Sequence, residues 1–314
     1  MKRLLIIVFI IGICLFLFSS FEWRNWWEAL RHVSVPGLLV LVFLQFLSFY
    51  LMAFQWKLLL KPHCRITIKE LLKLLFICAF IEGITPSAKL GSEAFKGAYF
   101  KKHYGVSFTR AMVLITIQKS ISFIAFFPLL FLALYMVFTQ LKQYVTYVTT
   151  SVANSIFIMI MSLAVLTGAG IWLWRVVLKK RLKETVLKEL TLGIEIKKVL
   201  IQGGLSIVIW LLFPLKGAIL AAALSFNLSL LDITAIVVIS YGVALIPLTP
   251  GGIGTFEVTM VTGMTGLGIP LEVAGTFAVL FRFITFWTGA GAGAIVSICS
   301  VNPLQVQRIK RKTG

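Results

Sequence analysis

Long apolar runs divided by short clusters of positive charge constrain this chain more than any other feature. The runs are Leu4 to Phe21, Val35 to Leu60, Ala111 to Phe138, Val152 to Leu178, Val199 to Phe226 and Glu272 to Cys299. Each reaches or approaches the ~20 residues that a helix needs to cross a hydrocarbon layer of ~30 Å. Charged residues make up 13% of the chain and mean hydropathy is +0.99, against about 25% charge in soluble domains. A soluble fold is excluded, and everything the protein does involves a bilayer.

The formal charge of +19 raises the question of nucleic acid, but the pattern answers it. Basic residues gather at the amino terminus, Lys61 to Lys73, Lys96 to Arg110, Arg175 to Lys198 and the tail Arg308 to Lys312, each beside an apolar run. That is the signature of cytoplasmic loops under the positive-inside rule, so no nucleic-acid partner is expected. The first run looks like a signal peptide, yet Glu22 to Trp27 follow it without a small-residue cleavage site, and it reads as a retained span.

Two further apolar stretches are interrupted. Leu71 to Ile84 is short for a span and stops at Thr85-Pro86-Ser87; an amphipathic segment from Ala88 to Phe100 follows, with Lys89, Glu93 and Lys96 on one face. Leu230 to Leu248 halts in the run from Pro247 to Gly254, and a shorter apolar piece continues to Gly268. The charge clusters all lie inside only if the first interrupted piece enters and leaves on the cytoplasmic side and the second on the outer side. The expected fold is therefore an all-α polytopic membrane protein with six full spans and two opposed re-entrant helical hairpins.

The two interruptions echo each other. Thr85-Pro86 and Thr249-Pro250 are each followed eight residues after the threonine by a glutamate, Glu93 or Glu257. A basic residue then lies inside the next apolar run, Lys119 in the first case and Arg282 in the second. The pattern predicts inverted halves over 1–139 and 152–299, a basic loop at 179–198 and a tail at 300–314, an organisation used by transporters. Chance recurrence of a Thr-Pro turn is the plainer reading, but three features agree in spacing. Pro214, beside Lys216, is expected to kink its span.

Lys119, Lys216 and Arg282 are costly where they stand, at about 2.5 to 3.5 kcal/mol for a charge at the centre of a membrane helix on insertion scales. Such groups face a cavity, a partner or a substrate path, unless their stems snorkel to the interface. The hairpin breaks offer the complementary feature: unpaired backbone N–H groups at the positive end of a half-helix, which attract anions. Gly251, Gly252 and Gly254 let the backbone approach a phosphate, while Pro86 and Pro250 fix the break without wasting a donor. Glu93 and Glu257 have two readings. They cap the helices that follow, or they pair with Lys119 and Arg282, either permanently or until a charged headgroup takes over one partner. The candidate substrate-binding residues are thus Thr85, Pro86, Glu93, Lys119, Lys216, Thr249, Pro250, Gly251, Gly252, Gly254, Glu257 and Arg282.

No catalytic motif is present, and Asp232 is the sole aspartate. Cys14, Cys64, Cys78 and Cys299 are scattered and read as small core residues; His32, His63 and His103 stand singly. Neither a metal site nor a cofactor is expected. Gly289 to Gly293 lies within the last span and reads as a close-packing face rather than a phosphate cradle.

The segments Ile84 to Lys96 (ITPSAKLGSEAFK), Pro247 to Glu257 (PLTPGGIGTFE) and Leu280 to Trp287 (LFRFITFW) resemble the transmembrane region of the lysylphosphatidylglycerol synthase and flippase family. The second segment is the specific one. In the first, Lys89-Leu90-Gly91-Ser92 stands where the family usually has a Gly-Gly pair, and Gln118-Lys119 stands where Glu-Arg is common. In larger members this region resembles a lipid flippase joined to a soluble domain that transfers lysine from its tRNA to phosphatidylglycerol; no counterpart of that domain is expected here. The resemblance implies lipid translocation in the cell (inner) membrane, with both termini cytoplasmic and no enzymatic step. The substrate would be an anionic or aminoacylated phospholipid, or a polyprenyl-phosphate lipid. An integral-membrane enzyme or accessory subunit for lipid-linked glycan or headgroup modification is the rival reading. A scaffold for a separately encoded synthase is a third, and homo-oligomerisation stays open.

Overall fold

The computed structural model describes residues 35–85, 90–144, 196–226, 228–246 and 249–300. The expected spans at 4–21 and 152–178, the basic loop at 179–195 and the tail lie outside the described residues, as do Cys14, His32, Pro86 and Lys89. All the regular secondary structure of the described residues is helical, with no strand among them. In chain order the helices are α1 (Val35–Leu60), α2 (Ile68–Ile84), α3 (Leu90–Tyr104), α4 (Phe108–Tyr144), α5 (Ile196–Ala223), α6 (Leu230–Ala244), α7 (Thr255–Gly266), α8 (Leu271–Arg282) and α9 (Thr288–Ser300). A 3₁₀ turn at Pro250–Gly252 precedes α7, and a π turn at Phe283–Trp287 joins α8 to α9.

Two length classes emerge. Val35–Leu60, Phe108–Phe138, Lys197–Ala223 and the α8–α9 rod Leu271–Cys299 are long and apolar enough to cross a membrane. Four others, α2, α3, α6 and α7, have 17, 15, 15 and 12 residues. At 1.5 Å per residue these reach only about 18 to 25 Å, short of the hydrocarbon thickness. The helix assignment of α5 runs through Pro214 without a break.

Local chemistry sets where the short helices begin. Thr67 Oγ1 accepts the Glu70 N–H at 3.2 Å, and Glu70 Oε2 accepts the Thr67 N–H at 2.9 Å, a reciprocal cap that starts α2. Its counterpart stands before α6, where Ser229 Oγ accepts the Asp232 N–H at 3.1 Å. Hydroxyls inside the apolar helices bond their own backbone, Ser48 to Leu44 and Ser240 to Ile236 among them, as a medium without water requires.

Packing repeats as well. First-half helices α2 and α3 lie together, α2 against α1 and α3 against α4; in the second half α6 and α7 lie together, α6 against α5 and α7 against α8. Each half also receives the long helix of the other, since α9 packs on α2 and α4 packs on α6. One core joins Phe49, Trp56, Leu74, Phe100 and Leu114, and a second joins Leu220, Phe256, Met260, Phe277 and Phe281. Large apolar side chains such as Phe43, Ile124, Tyr135, Leu200 and Ile298 cover the outer faces, the inside-out distribution of a lipid-facing surface.

The glycine-rich stretch of α9 is a packing face. A Cβ on Gly293 would fall well inside contact distance of the Phe76 carbonyl, and one on Gly289 would lie 2.5 Å from the Phe49 ring, so only glycine lets α9 close on α1 and α2. The cysteines differ from expectation. Cys78 is buried, Cys64 is half-buried and Cys299 is exposed, because position 299 falls on the outer face of α9.

Candidate functional site

Each pair of short helices brings an acid from its second member against a cation from the following long helix. In the first half Glu93 sits in the opening turn of α3, buried. Its Oε1 lies 3.1 Å from Lys119 Nζ of α4, and its Oε2 lies 3.0 Å from Lys96 Nζ one turn along α3. Lys96 is buried too, with Nζ 4.8 Å from the Trp56 ring centre. Pairing with both lysines, rather than capping alone, is the role the geometry gives Glu93. Lys119 keeps 34% of its side chain exposed, so it bridges the buried acid and the surroundings.

Glu257 combines the two readings. Its Oε2 accepts the Gly254 N–H at 2.6 Å, capping α7, while Oε1 stands 3.3 Å from Arg282 Nε. That contact is one of charge: the Nε proton is not aligned for a hydrogen bond. Arg282 Nη2 donates to the Gly251 carbonyl, and the guanidinium lies between the rings of Phe256 and Phe286, at 4.7 and 4.3 Å. Stacked cation–π contacts of this kind contribute about 0.5–2 kcal/mol each, and a planar guanidinium suits them better than an ammonium.

The glycines before α7 shape this second cluster. Gly251, Gly252 and Gly254 have φ of 58°, 71° and 86°, a left-handed run that side-chain-bearing residues resist. A Cβ on Gly251 would stand 2.8 Å from Phe286 Cζ and 3.5 Å from the Glu82 carbonyl oxygen. The second break therefore presses against the carboxyl end of α2, where the first break begins.

Glu82 links the clusters. Its Oε1 accepts the Ser92 hydroxyl at 2.8 Å, one residue before Glu93, while its carbonyl faces Gly251, which holds Arg282. Thr85 ends α2 with Oγ1 donating to the Ile81 carbonyl at 2.7 Å. The Thr249 hydroxyl oxygen is buried and finds no hydrogen-bond partner among the described residues. Thr85, Glu93, Lys119, Thr249, Pro250, the three glycines, Glu257 and Arg282 thus gather around two adjoining breaks. Lys216 does not join them directly. Fully buried in α5, it faces α1, where Nζ donates to Gln45 Oε1 at 2.6 Å and Ser48 Oγ at 3.3 Å.

Five contributors were not among the candidate residues. Lys96 was visible only as part of a polar face, and Glu82 lies at the end of an apolar run. Phe256 and Phe286 are two among 26 phenylalanines, with nothing local to mark them. Gln45 carried a usable signal, as an amide in the middle of a span. No group of three or more metal-ligating side chains exists among the described residues.

Residues 3–293 match the family model described as the lysylphosphatidylglycerol synthase TM region. A UPF0104 membrane protein of Methanothermobacter thermautotrophicus is 23% identical over 295 residues, covering 85% of this chain and 86% of the relative. A UPF0104 membrane protein of Pyrococcus horikoshii is 22% identical over 331 residues, covering 94% and 96%. Another, of Methanocaldococcus jannaschii, is 22% identical over 276 residues, covering 80% and 81%.

Proposed function

The chain belongs to the lysylphosphatidylglycerol synthase TM-region family, and from that premise we propose that this multi-pass membrane protein is a lipid translocase. It moves a lipid with a charged headgroup between leaflets, an anionic or aminoacylated phospholipid or a polyprenyl phosphate, without an enzymatic step. In this reading α2–α3 and α6–α7 are re-entrant hairpins entering from opposite sides, within halves related by inversion. The shortness of these four helices, their matched caps and the exchange of packing partners between halves support it. In the same reading both termini lie on the cytoplasmic side of the cell membrane, which the basic clusters support.

One observation carries the proposal: the two partly buried ion pairs adjoin through Glu82 at the place where both short-helix pairs break. An ion pair in a low-dielectric interior is stable until a competing charge offers equal compensation. A headgroup phosphate competes for Lys119 or Arg282, and the Thr249 hydroxyl supplies a neutral donor. A headgroup amine competes for Glu93 or Glu257. Passing the headgroup from one pair to the next moves it across the middle of the membrane without leaving either charge unpaired.

Leaflet exchange of fluorescent phosphatidylglycerol in proteoliposomes tests this. The native chain is expected to accelerate exchange over empty vesicles, and Arg282→Ala to abolish the acceleration. Native and variant proteins that both stay at the empty-vesicle level, for phosphatidylglycerol, lysylphosphatidylglycerol and a polyprenyl phosphate alike, overturn it.

A further inference from the structure

Lys216 is the charged group for which the headgroup path has no use. It is fully buried in the last third of α5, and among the described residues no carboxylate stands within ion-pair distance of Nζ. Its surroundings are the Gln45 amide oxygen at 2.6 Å, the Ser48 hydroxyl at 3.3 Å and the face of Phe213 at 4.2 Å. An ammonium removed from water and offered only neutral partners sits in unusual isolation. The contrast with Lys96, equally buried but 3.0 Å from Glu93, shows that this chain compensates a buried lysine elsewhere.

The hydrogen bonds lead onward. Gln45 accepts from Lys216 through Oε1 and donates through Nε2 to the Thr285 carbonyl at 2.8 Å. Thr285 lies in the π turn Phe283–Trp287, which begins immediately after Arg282 and contains Phe286, the ring that covers the guanidinium. Single π turns within α-helices are strained features that cluster at functional positions. Here the extra residue is held by a side chain from α1, and that side chain is held by Lys216. A positive Nζ polarises the Gln45 amide and strengthens its bond to Thr285; a neutral amine weakens it. Return of the π turn to α geometry would rotate the flanking helices relative to each other by roughly 100°, one residue's share of a turn. Arg282 and Phe286 would then no longer face Gly251 together.

The neighbouring ionisable groups are otherwise engaged. On α6, Tyr241 packs at a tilt against Phe213 at 4.6 Å and engages the Thr285 side chain, on α8 Arg282 faces Glu257 of α7, and on α4 Lys119 faces Glu93. From α1 the contacts to Nζ are an amide and a hydroxyl, neither of which titrates.

We propose that Lys216 is a proton-exchange site whose charge, relayed through Gln45 to Thr285, sets the π turn and so makes lipid movement proton-linked. The link to lipid rests on the translocase reading; the link between proton and turn does not.

Two measurements on the full chain in nanodiscs and proteoliposomes separate these. The first is hydrogen–deuterium exchange of peptides covering 283–291 between about pH 6 and pH 9, corrected for the intrinsic chemical rate. Native protein is expected to change protection there by about fivefold or more, a shift of population in a two-state element. Lys216→Met is expected to lose that response. Gln45→Glu, whose ionised carboxylate keeps Lys216 charged but has no N–H to donate to the Thr285 carbonyl, is expected to leave the turn weakly protected at every pH, and it serves as the second variant if the methionine protein folds poorly. A flat native profile, or a full pH response in Lys216→Met, overturns the inference.

The second is exchange of fluorescent phosphatidylglycerol under an imposed difference of about two pH units, expected to drive asymmetric distribution in native vesicles and none in Lys216→Met. Exchange that proceeds but ignores the gradient in native protein overturns the coupling. Exchange at the empty-vesicle level alongside a proton-dependent turn leaves the switch standing and removes the carrier role, so the two failures are told apart.

Discussion

The two ion-pair clusters hold corresponding places in the chain but differ in build. At the first, one carboxylate is shared by two lysines, one buried and one partly exposed, and the cations are flexible ammonium groups. At the second, one carboxylate serves as helix cap and counter-ion together, and the cation is a guanidinium clamped between two rings and a backbone carbonyl. Arginine in a planar slot is preorganised, whereas a lysine pair exchanges partners at little cost. The comparison teaches that a repeated geometry need not repeat its chemistry. Under the proposed translocation, the second cluster is suited to holding a headgroup at a fixed point, and the first to taking it up or releasing it.

Arg282→Ala should therefore have the largest effect. It strands Glu257 against the cap of α7, opens the slot between Phe256 and Phe286, and is expected to cut leaflet exchange at least about a hundredfold, ~2.7 kcal/mol of barrier. Lys119→Ala leaves Glu93 paired with Lys96, and a loss of only about threefold is expected. Equal losses would erase the difference between the halves. Stability sharpens the comparison in the opposite direction. Glu93→Gln abandons a fully buried Lys96, for which about 3–5 kcal/mol is expected, seen as a large fall in melting temperature. Glu257→Gln keeps an acceptor for the Gly254 N–H and leaves Arg282 its carbonyl and its rings, so about 1–2 kcal/mol is expected.

The backbone at the breaks gives a smaller contrast. Gly251→Ala places a methyl 2.8 Å from Phe286 at a φ of 58°, and a cost of about 1–3 kcal/mol follows from strain alone. At Gly83, on the other break, the nearest atom to an added Cβ is Phe286 Cζ at an ordinary 3.7 Å. Gly83→Ala is expected to stabilise by about 0.4–1 kcal/mol, since it sits in a helix that alanine favours. Thermal melting of both variants in one detergent decides between them.

Much of this was legible because the bilayer simplifies the code. The spans from Val35, Ala111, Val199 and Glu272 announce themselves by length and composition, and the structure shifts their described ends by only a few residues. Glu93 with Lys119 and Glu257 with Arg282 could be paired from spacing, since charges in an apolar run need compensation. What was not legible is long-range. Gln45 reaches Thr285 across 240 positions, and Glu82 faces Gly251 through the packing of α2 on the 3₁₀ turn. No local pattern encodes which two apolar faces meet. Lys96 illustrates the same limit: three residues from Glu93 on a mixed helix, it reads as a solvated lysine until the Trp56 ring above it is seen.

The two threonines give the finest test, because they share a motif and differ in what their hydroxyls do. Thr85 Oγ1 is satisfied within its own helix by the Ile81 carbonyl, while Thr249 Oγ1 is buried with no partner among the described residues. A hydroxyl shut away from water without a hydrogen bond costs about 1–3 kcal/mol, so for the resting fold alone valine at position 249 should be neutral or stabilising. Thr85→Val instead loses a bond and should lower stability by about 0.5–1 kcal/mol while leaving exchange nearly intact. If Thr249 is retained to donate to a passing headgroup, Thr249→Val will melt at or above the native temperature and yet exchange lipid about three- to tenfold more slowly, roughly the worth of one hydrogen bond to a charged group. A variant both more stable and fully active would show that the hydroxyl serves no headgroup. Any recognition of an anionic headgroup at the second break would then fall to Arg282.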